Sequence, residues 1–240
     1  MATIKKVVVN PRYAHLKDYL ENLPYHWDNH EGKVIYKGRN ELREIEVEGT
    51  TLAIKSFQKP NLINQIAYGF FRSSKAQRSY EHAELFLQSG IGTPAPVGYY
   101  TERKGLLFTR SFYACLKSEC PYSFNDLTVQ SFSRFEEIVV AIARTTALIH
   151  DKGYLHKDYS TGNILFRDDT EEIKVEIIDL NRMDFGKVGL AKGCKNFDRL
   201  PQTEQLLPIL SQTYAQTRGF NPELCYQLMK RHMYKIEQPS

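Results

Sequence analysis

From Gly32 to Phe57 the apolar and polar residues alternate in short runs. Gly32–Tyr36 and Glu44–Val47 flank a polar turn, Lys37–Glu41, and a second turn at Gly49-Thr50 leads into Thr51–Phe57. This alternation predicts an antiparallel three-strand meander. A helical stretch follows over 74–89, stopped by Gly90 and then by Pro94 and Pro96. Val97–Tyr100 and Leu106–Thr109, joined by Glu102–Gly105, predict a hairpin. The strongest helical period covers 131–152. There Phe132, Phe135, Ile138, Val139, Ile142, Ala143 and Ile149 recur at three- and four-residue steps before Gly153. After a loop from Tyr154 to Asn163, the apolar run Ile164–Phe166 turns through Arg167–Asp169 and returns as Ile173–Leu180. Helices are expected near 202–216 and 222–235.

The order of elements is therefore α+β: a β-rich first part with one main helix, then a mostly helical second part. The expected division is an N-terminal extension over 1–31, a first lobe over 32–110 and a second over 111–240. At 240 residues the chain can bury a core without disulfide or metal staples. With 42% hydrophobic and 25% charged residues, neither a disordered nor a fibrous class describes it. Met1–Tyr13 lacks the apolar core of a secretory signal, and no run of about 18 apolar residues reads as a membrane span. A cytoplasmic protein is the expectation, with contact at the membrane face peripheral at most. Its four cysteines, Cys115, Cys120, Cys194 and Cys225, form no C-x-x-C pair and are expected as free thiols. The net charge of +4 suits an anionic ligand or an acidic membrane surface. It does not argue for nucleic acid, nor does any interleaving of basic and aromatic residues.

The chemistry concentrates in His156-Lys157-Asp158-Tyr159-Ser160-Thr161-Gly162-Asn163, an H-x-D-x-x-x-x-N pattern followed by apolar strand residues. Phosphoryl transfer to a hydroxyl needs a carboxylate to orient the nucleophile and accept its proton, and oxygen ligands for Mg²⁺. Asp158 suits the first task and Asn163 the second, with His156 bracing the loop. Sixteen residues after Asn163 an apolar strand ends at Asp179, which the expected turn returns beside Asn163 as a second metal ligand. Asp184-Phe185-Gly186 spells a D-F-G literally, but it lies five residues beyond the strand end, so Asp179 is the assigned ligand. Leu52-Ala53-Ile54-Lys55 places a lysine on the third strand, where its ammonium would pair with nucleotide phosphates. The carboxylate partner of Lys55 is Glu81 or Glu84; Glu81 is chosen because Leu85 lies one turn on. His150, at the end of the long helix, reads as a packed or capping histidine.

These residues resemble the protein-kinase-like fold, and more narrowly the lipopolysaccharide kinase family, the Kdo kinase and WaaP group. Gly90–Pro96, Leu148–Asp158 and Ile177–Arg182 carry the likeness, the last because that group tends to have D-x-x-R in place of D-F-G. The resemblance implies a two-lobed fold with a β-rich N-lobe and a small helical C-lobe. It implies a kinase using ATP and Mg²⁺ to phosphorylate a sugar hydroxyl of a lipopolysaccharide-core-type glycolipid at the inner membrane. Ala53, Leu165 and the hairpin strand would line the adenine, with the hinge near Ser111–Tyr113. No G-x-G-x-x-G is present, Ser160 stands where protein kinases place a lysine, and no A-P-E follows Asp179. These departures argue against a conventional protein kinase, although a compact RIO-like protein kinase and a pseudokinase scaffold remain as alternatives. Arg182, Lys187, Lys192, Lys195 and Arg199 follow Asp179 and would meet an anionic acceptor.

Overall fold

A computed structural model describes residues 3–58, 73–105, 107–169 and 171–235. The chain forms two compact units, Met1–Leu85 with Pro94–Ser118, and Phe86–Thr93 with Glu119–Ser240.

The first unit contains β1 (Thr3–Val9), α1 (Lys17–Glu21), α2 (Leu23–Asp28), β2 (Lys33–Lys37), β3 (Glu41–Val47) and β4 (Thr50–Ser56). Then follow α3 (Lys75–Gln88), β5 (Pro96–Lys104) and β6 (Leu107–Leu116). The last turn of α3 is counted with the second unit. The strands form one antiparallel sheet in the order β1-β5-β6-β4-β3-β2. The expected meander is β2-β3-β4. The expected hairpin is β5-β6, longer than its apolar core suggested; Leu106 lies outside the described residues. Alternation sends Ile45, Val47, Leu52 and Ile54 into the core with Val97, Tyr100, Phe112 and Ala114.

Residues 3–31 belong to the first unit and its sheet rather than to a separate extension. β1 pairs along β5 from Thr3↔Lys104 to Val9↔Gly98, and Leu16, Leu20 and Leu23 are fully buried in the sheet's core. Their i, i+4, i+7 spacing is the signal, interrupted by the break between two short helices. Arg43 fastens this segment. Its guanidinium stacks 3.9 Å from the Trp27 ring and donates to the Trp27 carbonyl at 3.0 Å and to Glu41 at 2.6 Å. The division also falls later than residue 110, because β6 stays in the ladder through Leu116.

The second unit contains β7 (Tyr122–Ser123), α4 (Asp126–Val129), α5 (Phe135–Asp151), β8 (Tyr154–His156), β9 (Ile164–Arg167), β10 (Lys174–Ile177) and β11 (Met183–Phe185). It ends with α6 (Leu190–Lys195), β12 (Pro201–Gln202), α7 (Leu206–Arg218), α8 (Pro222–His232) and β13 (Tyr234–Lys235). α5 buries Ile138, Val139, Ile142, Ala143, Thr146 and Ala147 and packs on α7. It starts later than its apolar period, because Phe132 joins an aromatic cluster with Tyr122 and Phe166, at 5.1 and 5.2 Å between ring centroids. The return strand is shorter than expected. β10 stops at Ile177, and two residues on Asp179 takes a left-handed φ of 61° that an extended ladder cannot contain.

The C-terminal end of α5 is held by a buried polar contact. His150 is 1% exposed, with Nδ1 2.8 Å from the Tyr214 hydroxyl and Nε2 3.0 Å from Asn196 Oδ1. Burial lowers its pKa from the ordinary 6.5 to about 4. Between those values the unfolded chain binds a proton that the folded chain does not. Stability contributed by the neutral ring is therefore present above pH 6.5 and lost as pH falls towards 4, by up to about 3 kcal/mol. Urea denaturation between pH 7 and 4.5 should show a steeper acid loss in wild type than in His150→Gln; equal slopes would contradict this linkage.

Candidate active site

β8 ends at His156, and a loop carries the chain through Asp158 to a short 3₁₀ turn, Thr161–Asn163, that opens β9. His156 is fully buried. The Asp158 N–H donates to His156 Nδ1 at 3.1 Å, so the ring's proton sits on Nε2, which donates to the Ile178 carbonyl at 3.1 Å. Burial pushes the His156 pKa down and keeps the ring neutral, as this pattern requires. One imidazole thus ties the loop of Asp158 to the segment leading into Asp179.

Asn163 makes the second tie. Its Nδ2 donates to the Asp158 carbonyl at 2.8 Å, and its own carbonyl accepts the Ile178 N–H at 3.0 Å. The β9–β10 ladder, with Ile164 opposite Ile177, delivers both chain segments to this point. Tyr159 pins the loop from below. It is 1% exposed, its hydroxyl lies 2.6 Å from Thr146 Oγ1 on α5, and its ring meets Phe197 at 6.2 Å. The chain at Asp158, Asn163 and Asp179 is therefore brought together.

Asp179 holds a left-handed backbone, a conformation that asparagine and aspartate tolerate better than most residues, and Asn181 Nδ2 donates to its Oδ1. The Asn163 amide nitrogen is committed to the Asp158 carbonyl, and the Ile178 N–H on its backbone carbonyl brings the chain next to Asp179 alongside it. A carboxamide oxygen and a carboxylate are the hard donors that Mg²⁺ takes, so the residues present fit that ion. Among the described residues no group of three or more His, Cys, Asp or Glu gathers as a metal cluster. Asp184 is engaged elsewhere. It lies on β11 opposite Leu155, and its carboxylate pairs with Lys157 Nζ at 3.2 Å.

The Gly90–Pro96 motif also finds its reason here. The Gly92 carbonyl accepts the Ile177 N–H at 2.9 Å, and a Cβ at Gly92 would lie 2.1 Å from the Val175 carbonyl oxygen. Only glycine lets this segment run along β10 beside the strand that ends before Asp179.

Two cations at Asp158 escape any local reading of the sequence. Arg199 Nη1 donates to Asp158 Oδ1, and Arg182 Nη1 lies 3.8 Å from Oδ2. Both arginines are exposed, as are Lys187, Lys192 and Lys195. Arg182 sits in the D-L-N-R segment, but Arg199 reaches Asp158 across 41 residues.

The first unit carries the remaining candidates. Lys55 lies on β4 opposite Leu42 and Tyr113, with Nζ 5.4 Å from the Phe57 ring. Ala53 stands two residues earlier, opposite Cys115. On α3 the buried stripe is Ala76, Ser79, Ala83 and Phe86, whereas Leu85, the expected apolar anchor, is 37% exposed. Glu81 accepts from Gln77 Nε2 at 2.7 Å, and Glu84 accepts from Asn10 Nδ2 at 2.9 Å. Ser111–Tyr113 is no hinge. It is strand interior with Phe112 and Tyr113 in register with β4 and β5, so its backbone polar groups belong to the ladders. Leu165, in the second unit, is half-buried on β9 between Ser123 and Glu176.

The lipopolysaccharide kinase (Kdo/WaaP) family matches the chain over residues 48–217. A curated relative, the mitogen-activated protein kinase pmk-3 of Caenorhabditis elegans, is 29% identical over 182 residues, covering 73% of this chain. The chain spans about a third, 32%, of that relative's length. Among solved structures, WaaP in complex with acyl carrier protein aligns over 94% of this chain and 97% of that chain, with a TM-score of 0.60 and 16% identity. That likeness shows the protein-kinase-like fold. The bifunctional kinase-methyltransferase WbdD aligns over 81% of this chain and 42% of its own, with a TM-score of 0.49 and 16% identity.

The loop anchor and the surface pair differ in what they contribute. Tyr159→Phe removes one buried hydrogen bond while Thr146 Oγ1 keeps its bond to the Ile142 carbonyl at 2.8 Å, so it should cost about 1–2 kcal/mol. Asp184→Asn breaks a half-exposed pair and should cost less than about 1 kcal/mol. Urea midpoints at pH 7 test the ranking, which fails if Asp184→Asn proves the more damaging.

Proposed function

The chain belongs to the lipopolysaccharide kinase (Kdo/WaaP) family, and from that premise we propose that it transfers the γ-phosphoryl group of ATP to a hydroxyl of an anionic saccharide or lipopolysaccharide-core-type glycolipid, with Mg²⁺. The observation that carries this reading is the double tie at Ile178. Its carbonyl accepts from His156 and its N–H donates to Asn163, which joins the Asp158 loop to the segment that ends in Asp179.

Asp158 orients the acceptor hydroxyl and takes its proton as the oxygen–phosphorus bond forms and the bond to the ADP oxygen breaks. Asn163 and Asp179 would hold the Mg²⁺, which when bound neutralises phosphate charge. In the first unit, Lys55 would pair with nucleotide phosphates, Glu81 would orient it and Ala53 would meet the adenine. The arginines at Asp158 suit an anionic acceptor. A phosphate or carboxylate on the acceptor can take over the Arg199 guanidinium and release the Asp158 carboxylate to the hydroxyl. The exposed Lys187, Lys192 and Lys195 extend the same basic region and would favour work at an acidic membrane face, each adding about 1 kcal/mol at most. No helix among the described residues is long and apolar enough to cross a membrane.

The likeness to a mitogen-activated protein kinase favours a second reading, a compact protein kinase. The absence of A-P-E from 180–240 weighs against it. The presence of Lys55, Asp158, Asn163 and Asp179 weighs against a pseudokinase scaffold.

Calorimetry with a non-hydrolysable Mg·ATP analogue should show metal-dependent binding abolished by Asp179→Ala and largely kept by Asp184→Ala. Loss confined to Asp184→Ala would overturn the metal assignment. A transfer assay over purified sugars, glycolipids and proteins should find an anionic glycan as the preferred acceptor. In that assay Asp158→Asn should cut turnover by about 10²-fold or more while leaving nucleotide affinity within a few-fold. A protein phosphorylated far more efficiently than any glycan would overturn the acceptor class.

A further inference from the structure

The chemistry above leaves unused a line of buried and half-buried polar side chains in the second unit, from α7 to the loop of Asp158. At its outer end Arg218 is held by the Asp151 carboxylate and donates through Nη2 to the Val188 carbonyl at 2.7 Å. Its Nη1 donates to the Tyr214 hydroxyl at 2.8 Å. That hydroxyl lies 2.8 Å from His150 Nδ1, His150 Nε2 lies 3.0 Å from Asn196 Oδ1, and Asn196 Nδ2 donates to the His156 carbonyl at 2.9 Å.

Donor chemistry sets the direction of every bond. The Asn196 carbonyl oxygen can only accept, so His150 carries its proton on Nε2. Nδ1 of the neutral ring then accepts, and the Tyr214 hydroxyl donates to it while accepting from a guanidinium that can only donate. All the donors point the same way, from the Arg218 cation to the His156 carbonyl, an arrangement in which each bond polarises the next. The ring's low pKa, near 4, keeps the neutral form in place at ordinary pH. Space is kept for the line as well. A Cβ at Gly193 would fall 2.0 Å from the Tyr214 hydroxyl oxygen and 3.4 Å from His150 Nδ1. The line arrives at the residue whose ring holds the Asp158 N–H and the Ile178 carbonyl.

We propose that Arg218, Tyr214, His150 and Asn196 form a directional hydrogen-bond relay that fixes the His156–Asp158 loop, which makes Asn196, His150 and Tyr214 positioning residues for phosphoryl transfer. Its effect on turnover rests on the kinase reading above; its effect on the loop does not. Apolar side chains of the same volume would fill this space but could not orient the His156 carbonyl. The relay also connects the backbone of the His156–Asp158 loop to the last turn of α7, where the Arg218–Asp151 pair reaches the surface.

Two near-isosteric substitutions in the full chain test it. Asn196→Asp exchanges the Nδ2 donor for an oxygen facing the His156 carbonyl, and Tyr214→Phe removes the hydroxyl and keeps the ring. Hydrogen exchange is read at the Asp158 and Ile178 amides and at amides of the β3–β4 ladder, alongside kcat and KM for ATP. Exchange at the two loop amides should quicken about tenfold or more with the ladder unchanged, as for a local opening. Turnover should fall by about tenfold or more with KM for ATP within about threefold, the mark of a mispositioned group. The double variant should lose little more than the worse single one, because each breaks the same line. Wild-type exchange at the loop, a uniform rise that includes the ladder, or additive losses in the double variant would each overturn the relay. If Asn196→Asp fails to fold, Tyr214→Phe alone decides between these outcomes. A wild-type chain that turns over no ATP would sink the kinase reading, and the exchange data would still decide the relay.

Discussion

A single buried imidazole carries the arrangement of the reactive residues. His156 accepts from the Asp158 backbone on one nitrogen and donates to the Ile178 carbonyl from the other. Only a neutral ring can do both, and burial favours that form by lowering the ring's pKa. Beside the Asn163 contacts and the Lys157 N–H donated to the Arg182 carbonyl at 2.9 Å, this bridge ties the loop that carries Asp158 to the segment that carries Asp179. With it, two stretches of chain separated by a hairpin become one rigid frame.

The charges are arranged around that frame. Asp158 faces Arg199 and Arg182, while Asp179 receives an amide from Asn181. The two aspartates sit in different surroundings: Asp158 meets the guanidinium groups of two exposed arginines, and Asp179 receives the Asn181 amide. Asp179 also holds a left-handed backbone, with φ of 61°. Residues in sparsely populated conformations persist where their surroundings over-determine them, at about 1–3 kcal/mol each.

The sheet of the first unit rests on a different device. Its outer strand and the helices over its core come from residues that precede the meander, and Arg43 secures them through a stacked guanidinium and main-chain carbonyls. Burying that charge is tolerable because Glu41 lies against it and the carbonyls of Trp27 and Glu31 take its remaining protons.

Much of this could be read along the chain. The meander, the long helix and the β9–β10 hairpin each show a period of two or 3.6 over enough residues to name the element. The H-x-D-x-x-x-x-N spacing and the apolar run towards Asp179 set the chain near Asp158, Asn163 and Asp179 together, because a short hairpin leaves few ways to fold. The rest depended on contacts between distant residues. The leucines at 16, 20 and 23 lie across a helix break, so their common face exists only once the sheet is built. Phe132 left its helix for an aromatic cluster, and Ser111–Tyr113 proved to be strand because β4 and β5 flank it on both sides. Arg199 at Asp158, and Asn196 at the His156 carbonyl, join residues some 40 apart in sequence. Periodicity records which face a residue shows to the core; it holds no record of which distant partner a polar group will meet, and packing alone settles that.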